Sequence, residues 1–420
     1  MALSGTVLTE LARILGADGV FTSREARLTY EADMHTLYKG EPDAVVLPRS
    51  TEQVRDVVRL CRRERIPIVP RGSGTGLIGG AMAPRGGVMV SMTRMTEMLE
   101  IDLANRSATV QPGVINLWLT DAVRDRGYFF APDPSSQMVS SIGGNVSTNA
   151  GGPHCLKYGI TTNHVLGLEF VTGAGDVLRV GGKAADRPGY DLPGAMVGAI
   201  NAAVGKVYPD GAGAVLLIEL DGPRAEVEAQ GERIAAIGRQ RQALFVTVAR
   251  DELERALLWK GRKEAAGAIG RIASAYLLQD AVVPRSKLPQ IMKEMIALGR
   301  RYNVVIANVF HAGDGNLHPM ICYDDRNADE FARAQEANEA LLRACIALGG
   351  SVTGEHGVGM DKAKNLPLQY ADADLNFMYR LRRVFDPDGL MNPAKLLPSH
   401  PACGEGFRPT RPTLPDGAWV

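Results

Sequence analysis

Residues 71–80 read RGSGTGLIGG, five glycines in the nine residues from Gly72 to Gly80, and their flanks narrow the fold more than any other stretch. Ahead of them AVVL, beginning at Ala44, is a short apolar strand, and Ser50 with Gln53 forms a capping box. TEQVRDVVRLCRRER then has a helical pattern, and IPIVP is a second strand. This βαβ unit runs into Gly74-Thr75-Gly76-Leu77-Ile78-Gly79, which matches G-x-G-x-x-G. The dinucleotide fingerprint needs a helix to start there, so that its N-terminus can hold a pyrophosphate. GGAMAPRGG follows instead, and then a strand, VMVSM. A Rossmann domain is thereby excluded. What remains is a backbone nest, in which successive amide groups of flexible glycines hold phosphate oxygens, with Ser73 and Thr75 adding hydroxyls. A plain turn needs fewer glycines than this.

A second pair of stretches carries the titratable groups. HAGDGNLHP (residues 311–319) and GEHG (354–357) together supply three histidines and a glutamate. Imidazole and carboxylate are the ligands of a borderline divalent ion such as Zn, Mn or Fe. His311 follows the β-rich run RYNVVIANVF, and Gly-Asp-Gly-Asn after it is turn chemistry, so both stretches are expected on loops at element ends rather than in the core. Each histidine alone also reads as an ordinary turn residue.

Composition bounds the rest. Length alone, 420 residues, suggests two domains. Lys+Arg and Asp+Glu both number 47, which argues against a nucleic-acid or anionic-membrane partner. Five scattered cysteines without a CxxC fit a reducing compartment and leave no iron–sulfur spacing. Glu10 and Arg13 within an amphipathic N-terminal helix over residues 5–16 exclude a signal peptide, and the longest uncharged apolar run, 194–205, is too short to span a bilayer. A soluble, cytoplasmic protein is the expectation.

After Met95 two short strands (TEMLEID, SATVQPG) and a helix (NLWLTDAVRDRG) precede a run of about thirty residues, from APDPSS to LKYG. That run is rich in Pro, Gly, Ser and Asn, has no helical period, and would let a planar ligand lie against the backbone. NHVLGLEFVTGAGDVLRV reads as a hairpin. The second half alternates: AVLLIEL, QALFVTVA, IASAYLLQ and NVVIANVF as strands, with helices at PRAEVEAQGERIAAIGRQ, DELERALLWKGRKEAAGAI and RSKLPQIMKEMIALGRR. Such alternation fits an antiparallel sheet with helices on one face. Helices at ADEFARAQEANEALLRACIAL and around LNFMYRLRRVFDP follow, and the last residues are a Pro-rich tail.

PRGSGTGLIGG, the run from PDPSS through IGGNVSTNAGGPHCLKYG, HAGDGNLHP and GEHGVG together closely resemble the glycolate oxidase FAD-linked subunit and the D-lactate dehydrogenase group of flavoproteins, over about Leu28 to Leu397. The resemblance implies an α+β chain: a two-subdomain FAD-binding domain of the vanillyl-alcohol-oxidase type (residues 1–205), then a ferredoxin-like cap domain (206–398), with a tail at 399–420. It implies oxidation of a small 2-hydroxy acid, glycolate or D-lactate, by hydride transfer to FAD, with a D-2-hydroxyglutarate-type diacid as the alternative substrate. His311, His318 and Glu355 become ligands of a divalent metal, His356 the base, Asn316 a substrate hydrogen-bonding group and Arg262 the substrate-carboxylate binder, with Arg285 a weaker candidate for that role. FAD, expected to be non-covalent, would lie against Pro70, Arg71, Gly72, Ser73, Gly74, Thr75, Gly76, Pro132, Asp133, Ser140, Gly143, Gly144, Asn145 and Gly151, with Asn392 closing over it. Relatives pass electrons to a second flavin subunit and an iron–sulfur subunit, so any attachment to the inner membrane would come through partners.

The chain departs from that pattern at one place. After PGYDLPGAMVG the family continues with Ser-Glu-Gly-Thr-Leu-Gly, the last strand of the FAD domain and the first strand and helix of the cap. Here MVG runs straight into AINAAVGKVYPDGAG, so a piece on the order of half a small domain is missing between Gly198 and Ala199. Its loss is expected to leave a sheet edge and a core face uncovered. A truncated subunit that cannot retain FAD is therefore the non-catalytic alternative.

Overall fold

The computed structural model describes residues 3–34, 38–183, 216–243, 245–249, 251, 254–255, 258–259 and 273–398. The expected seam near Gly198, Arg262, and the tail from residue 399 lie outside these residues.

The first unit starts with α1 (Gly5–Leu15), whose Ser4 side chain caps the Val7 amide, and β1 (Val20–Phe21). β2 (Ala44–Val46), α3 (Thr51–Arg63) and β3 (Ile68–Arg71) follow, with α2 (Arg24–Leu28) before them. Half of the capping box forms as read, the Gln53 amide donating to Ser50 Oγ at 3.3 Å, while Gln53 Oε1 accepts the Arg49 amide at 2.7 Å in place of the Ser50 amide. β4 (Val88–Ser91) inserts between β2 and β3, parallel to both, while β1 runs antiparallel on the far edge of β2. The strands are apolar on both faces because both faces are covered. Val46, Val88 and Val90 pack against Leu11, Leu15, Val57 and Leu60 of α1 and α3, and Val45, Val69 and Met89 pack with Ala83 on the opposite side.

β5 (Met98–Asp102) and β6 (Ser107–Val110) form one hairpin, and α4 (Asn116–Val123) follows. The Gly- and Ser-rich run, read as having no helix, contains α5 (Ile142–Thr148) and α6 (Cys155–Tyr158). α5 shows no apolar period because neighbours, not propensity, hold it. Ser141 Oγ caps the Gly144 amide, and Gly143 sits where a Cβ would be 2.5 Å from Pro112. β7 (Gly167–Val171) and β8 (Val177–Gly181) form the expected second hairpin, lying against α3.

In the second unit α7 (Arg224–Gln240) forms as read. The strands expected at AVLLIEL and QALFVTVA do not: residues 216–220 and 245–249 lie in no strand. Leu216, Phe245 and Val248 are at least 60% exposed there, so these apolar side chains have no sheet to bury them. β9 (Ala275–Leu278), β10 (Ala281–Val282), β11 (Val305–His311) and β12 (Asn316–Tyr323) build an antiparallel sheet. β11 flanks β12 on one side, and β9 and β10 share the other, with a step at Gln279 and Asp280. α8 (Leu288–Tyr302) and α9 (Ala328–Ala347) cover one face, burying Leu317 and Ile321 under Ile291, Met295, Leu298, Ala334, Ala337 and Leu341.

The end of the chain returns to the first unit. After α10 (Asp372–Phe385), the Ile68 amide donates to the Leu390 carbonyl at 2.8 Å, and the Asn392 amide donates to the Ile68 carbonyl at 2.7 Å. Lys395, 5% exposed, donates to the carbonyls of Gly80 and Met82. The returning terminus is thereby bonded to the first unit.

Leu341 has no exposure in the layer between α9 and the sheet. Leu341→Ala is expected to destabilise the second unit by about 2–5 kcal/mol through transfer and cavity terms, read as a lower urea midpoint.

Candidate active site

β11 and β12 are joined by a four-residue turn, in which the Gly315 backbone has φ +84° and a Cβ would meet the Val283 carbonyl at 2.1 Å. Their register sets His311 opposite Asn316 and Val309 opposite His318. Successive side chains of β12 alternate faces. Leu317 and Ile321 enter the helix-covered core, so Asn316, His318 and Met320 occupy the other face, with Met320 packed against Leu278, Ala307 and Val309. Both histidine stretches were expected outside the core. Instead β12 is buried along its whole length, and His318 and His356 are each 1% exposed. The alternation allows one strand to serve core and site together.

Glu355 and His356 arrive on the loop after α9. Glu355 Oε1 lies 3.3 Å from His311 Nε2 and 3.1 Å from His318 Nε2. The His356 ring stacks on His318 at 4.9 Å, with 6° between planes. Ligand atoms of His311, His318 and Glu355 all lie within 4.8 Å of one another. Burial would raise the Glu355 carboxyl, but hydrogen bonds to His311 and His318 hold it down to about 2. Burial would likewise lower His318, but Asp280 and Glu355 lift it to about 9. The pocket thus favours positive charge beside Glu355, as a cation site does. Burial takes His356 the other way, to about 3, against the pull of the Asp280 charge and with His318 and Lys362 adding to the lowering, so its imidazole is neutral.

Asp280, His318 and His356 form a second cluster of ligand atoms. It is a poor cation site, because Lys362 Nζ stands 3.1 Å from the Asp280 carboxylate, which already accepts several hydrogen bonds. Sequence reading missed both Asp280 and Lys362. The aspartate was visible as one charge interrupting the apolar run YLLQDAVVP, whereas nothing in GMDKAK marked Lys362 for burial.

The glycine loop meets this centre. A Cβ on Gly72 would be 2.5 Å from Ser141 Oγ and 3.5 Å from Gly144 Cα, so residues 72 and 141–144 are in contact. Gly74 has φ +73°, and Pro70 pairs with Val90 in the sheet, while Ser73, Thr75 and Gly76 line the same part-buried turn. Arg71 folds back over Gly74, donating to the carbonyls of Ala32 and Ala81 and packing over Tyr30. Ser140 Oγ and Asn145 Nδ2 are buried without a protein partner, which leaves them for a ligand. Asn392, at φ +46°, donates to the Gly80 carbonyl. The Pro132 carbonyl accepts from buried Asn116. Gly151 lies where a Cβ would be 2.8 Å from Glu355 Oε2, so the Gly- and Ser-rich loop touches the ligand cluster. Asp133 binds His154 Nδ1 at 2.7 Å, and Glu219 lies 3.7 Å from His154 Nε2. Arg285 is exposed at the start of the short 3-10 turn (Arg285–Lys287) that leads into α8, and Arg262 lies outside the described residues.

Two family models match this chain: an FAD binding domain over residues 42–181 and the C-terminal domain of FAD linked oxidases over 192–396. The glycolate oxidase subunit GlcD of Escherichia coli (strain K12) is 38% identical, covering 91% of this chain and 89% of the relative. GlcD of Bacillus subtilis (strain 168) is 37% identical, over 93% and 96%. Since 91% of 420 residues is about 382, the 442-position alignment with the E. coli protein leaves about 60 positions with no residue of this chain, in keeping with an absent segment. Among solved structures, p-cresol methylhydroxylase with substrate bound superposes with a TM-score of 0.70 at 16% identity, over 94% of this chain and 98% of that one. That likeness supports the vanillyl-alcohol-oxidase-type fold.

The Asp133 hydrogen bond, then Glu219, raise His154 to about 10 against partial burial. A raised pKa stabilises the fold fully below the unfolded value, about 6.5, and that contribution is lost as pH climbs through about 10. Thermal unfolding of wild type is therefore expected to fall relative to His154→Gln between pH 6.5 and 10, with parallel curves refuting the tie.

Proposed function

The chain belongs to the FAD-linked oxidase family, as an FAD-linked hydroxy-acid oxidoreductase, and on that premise we propose that it oxidises glycolate or D-lactate with His356 as base and a divalent ion on His311, His318 and Glu355. One observation carries this reading. His356 is a neutral, buried imidazole whose Nε2 has no protein partner, stacked beside a two-histidine, one-carboxylate donor set. When bound, FAD supplies the hydride acceptor and a Zn, Mn or Fe ion supplies positive charge at the substrate's hydroxyl and carboxylate oxygens. His311, His318 and Glu355 would hold that ion, and the partnerless buried Nδ1 of His318 and Oδ1 of Asn316 suit a site completed by a ligand.

His356 Nε2 receives the hydroxyl proton, a role its neutral state permits at ordinary pH. Asn316 hydrogen-bonds the substrate, and Arg262 pairs with its carboxylate as the family resemblance implies. The nest at residues 70–76, with Ser140, Gly143, Gly144 and Asn145, holds the cofactor. The wall beyond His318 is Met320, Leu278 and Val309, an apolar surface that suits a small monoacid. No helix among the described residues is long and apolar enough to cross a membrane. The relatives are named as subunits, and this chain has no cluster-binding cysteine spacing. A second flavin subunit and an iron–sulfur subunit are accordingly the proposed electron acceptors, with the assembly cytoplasmic or held to the inner membrane by them.

The first measurement is the absorption spectrum before and after acid precipitation, followed by dye-linked turnover of glycolate, D-lactate, L-lactate and D-2-hydroxyglutarate. Released flavin and turnover of a D-monoacid or glycolate are expected. Protein that stays colourless after incubation with FAD overturns the reading in favour of a truncated, inactive subunit. His356→Asn is expected to keep the flavin spectrum and lower kcat by about 10²–10⁴.

A further inference from the structure

Asp280 lies at the step between β9 and β10 with no exposure, and it has neither a ligand nor a base role in the proposed chemistry. Its Oδ2 accepts from Thr353 Oγ1 at 2.5 Å, the Gly354 amide at 3.0 Å, the His356 amide at 2.8 Å and Lys362 Nζ at 3.1 Å. Its Oδ1 accepts from the Glu355 amide at 3.0 Å. Five donors around one group demand an acceptor-only side chain. An ionised carboxylate meets that demand, and a neutral amide, half donor, does not.

The three amides belong to consecutive residues, and two of those residues carry the proposed ligand and the proposed base. Thr353 Oγ1 also accepts the Gly357 amide at 2.7 Å, which closes the turn around the carboxylate. A Cβ on Gly354 would lie 2.3 Å from Asn316 Oδ1, so only bare backbone lets the loop pack this closely on β12. Behind Asp280, Gln279 Oε1 accepts the Asp280 amide at 3.0 Å, and Gln279 Nε2 donates to Asn338 on α9 at 3.0 Å. The step in the sheet is thus tied to the helix layer.

We infer that Asp280 is a positioning residue: its charge, balanced by buried Lys362, clamps residues 353–357 so that Glu355 completes the donor set with His311 and His318 and His356 Nε2 stands beside it. A group that only held the fold together would serve equally well wherever it buried its charge. Here every donor but Lys362 comes from the one loop that carries the chemistry. The inference rests on the proposed roles of Glu355 and His356, and its test separates the two.

Full-length, FAD-loaded protein carrying Asp280→Asn, Thr353→Val or Thr353→Ser is compared with wild type. Flavin content, unfolding temperature, kcat and KM with glycolate and a dye acceptor, and Zn²⁺ affinity against a chromogenic chelator are measured for each. Asp280→Asn and Thr353→Val are expected to keep their flavin, to lower kcat and weaken Zn²⁺ binding by about 10–100-fold, and to change KM little. Thr353→Ser, which keeps the hydroxyl, is expected to match wild type. Variants that melt earlier but retain wild-type kcat and Zn²⁺ affinity overturn the inference and leave a structural anchor only. Should Asp280→Asn fail to fold, the Thr353 pair decides, since Thr353→Val leaves four of the five donors on Asp280 in place. If wild type binds no Zn²⁺, the metal reading fails and the kcat ratio of the Thr353 variants alone judges the placing of His356. If wild type oxidises no hydroxy acid, the functional reading fails and Zn²⁺ affinity alone judges the clamp.

Discussion

The site depends on the end of the chain being bonded back onto the first sheet. Residues 390–392 pair with Ile68, the Leu396 amide donates to the Gly359 carbonyl at 2.9 Å, and the Met360 amide donates to the Ile78 carbonyl at 2.9 Å. These bonds knit three segments: the glycine loop, the loop bearing Glu355 and His356, and the returning terminus. Without them the uncovered face of β12 would look into water, where imidazoles and carboxylates keep their ordinary affinities for protons. Closing the face dries the centre, and every charge inside it must then have a partner.

The charges present follow from that requirement. Glu355 is met by two imidazoles and Asp280 by an ammonium and backbone amides, while His356 gives up its charge instead. Two histidine rings stacked 4.9 Å apart therefore hold opposite protonation preferences because their nearest neighbours differ. His318 points at carboxylates, and the free nitrogen of His356 has none within hydrogen-bond reach.

Much of this was legible in the residues. The glycine loop leading to a strand, the Ser50 cap, the strands of the first hairpin, the second hairpin and helices α7 to α10 all rest on local rules of turn chemistry and periodicity. The errors have non-local causes. His311 to Pro319 was read as loop because Gly-Asp-Gly-Asn marks a turn, yet only four residues turn and the rest is strand, since the chain on both sides pairs across the sheet. α5 was missed because its glycines serve close packing on Pro112 and Gly72 rather than helix propensity. AVLLIEL and QALFVTVA have strand-like composition, but composition cannot supply a neighbouring strand. Asp280 was passed over because an aspartate's value as an anchor lies in amides about seventy-five residues downstream.

Gly151 joins the two halves of the centre by having nothing on its α-carbon. A methyl there would sit 2.8 Å from Glu355 Oε2 and 2.9 Å from Cys155 Sγ, closer than real Cβ atoms come to such neighbours. Gly151 follows α5, which carries Gly144 and Asn145, so this contact acts as a spacer gauge between that segment and the Glu355 carboxylate. A gap set by bare backbone cannot be relaxed by rotating a side chain. The spacing between the backbone at residue 151 and the Glu355 carboxylate is therefore set by covalent geometry, and any side chain added at 151 would have to widen it.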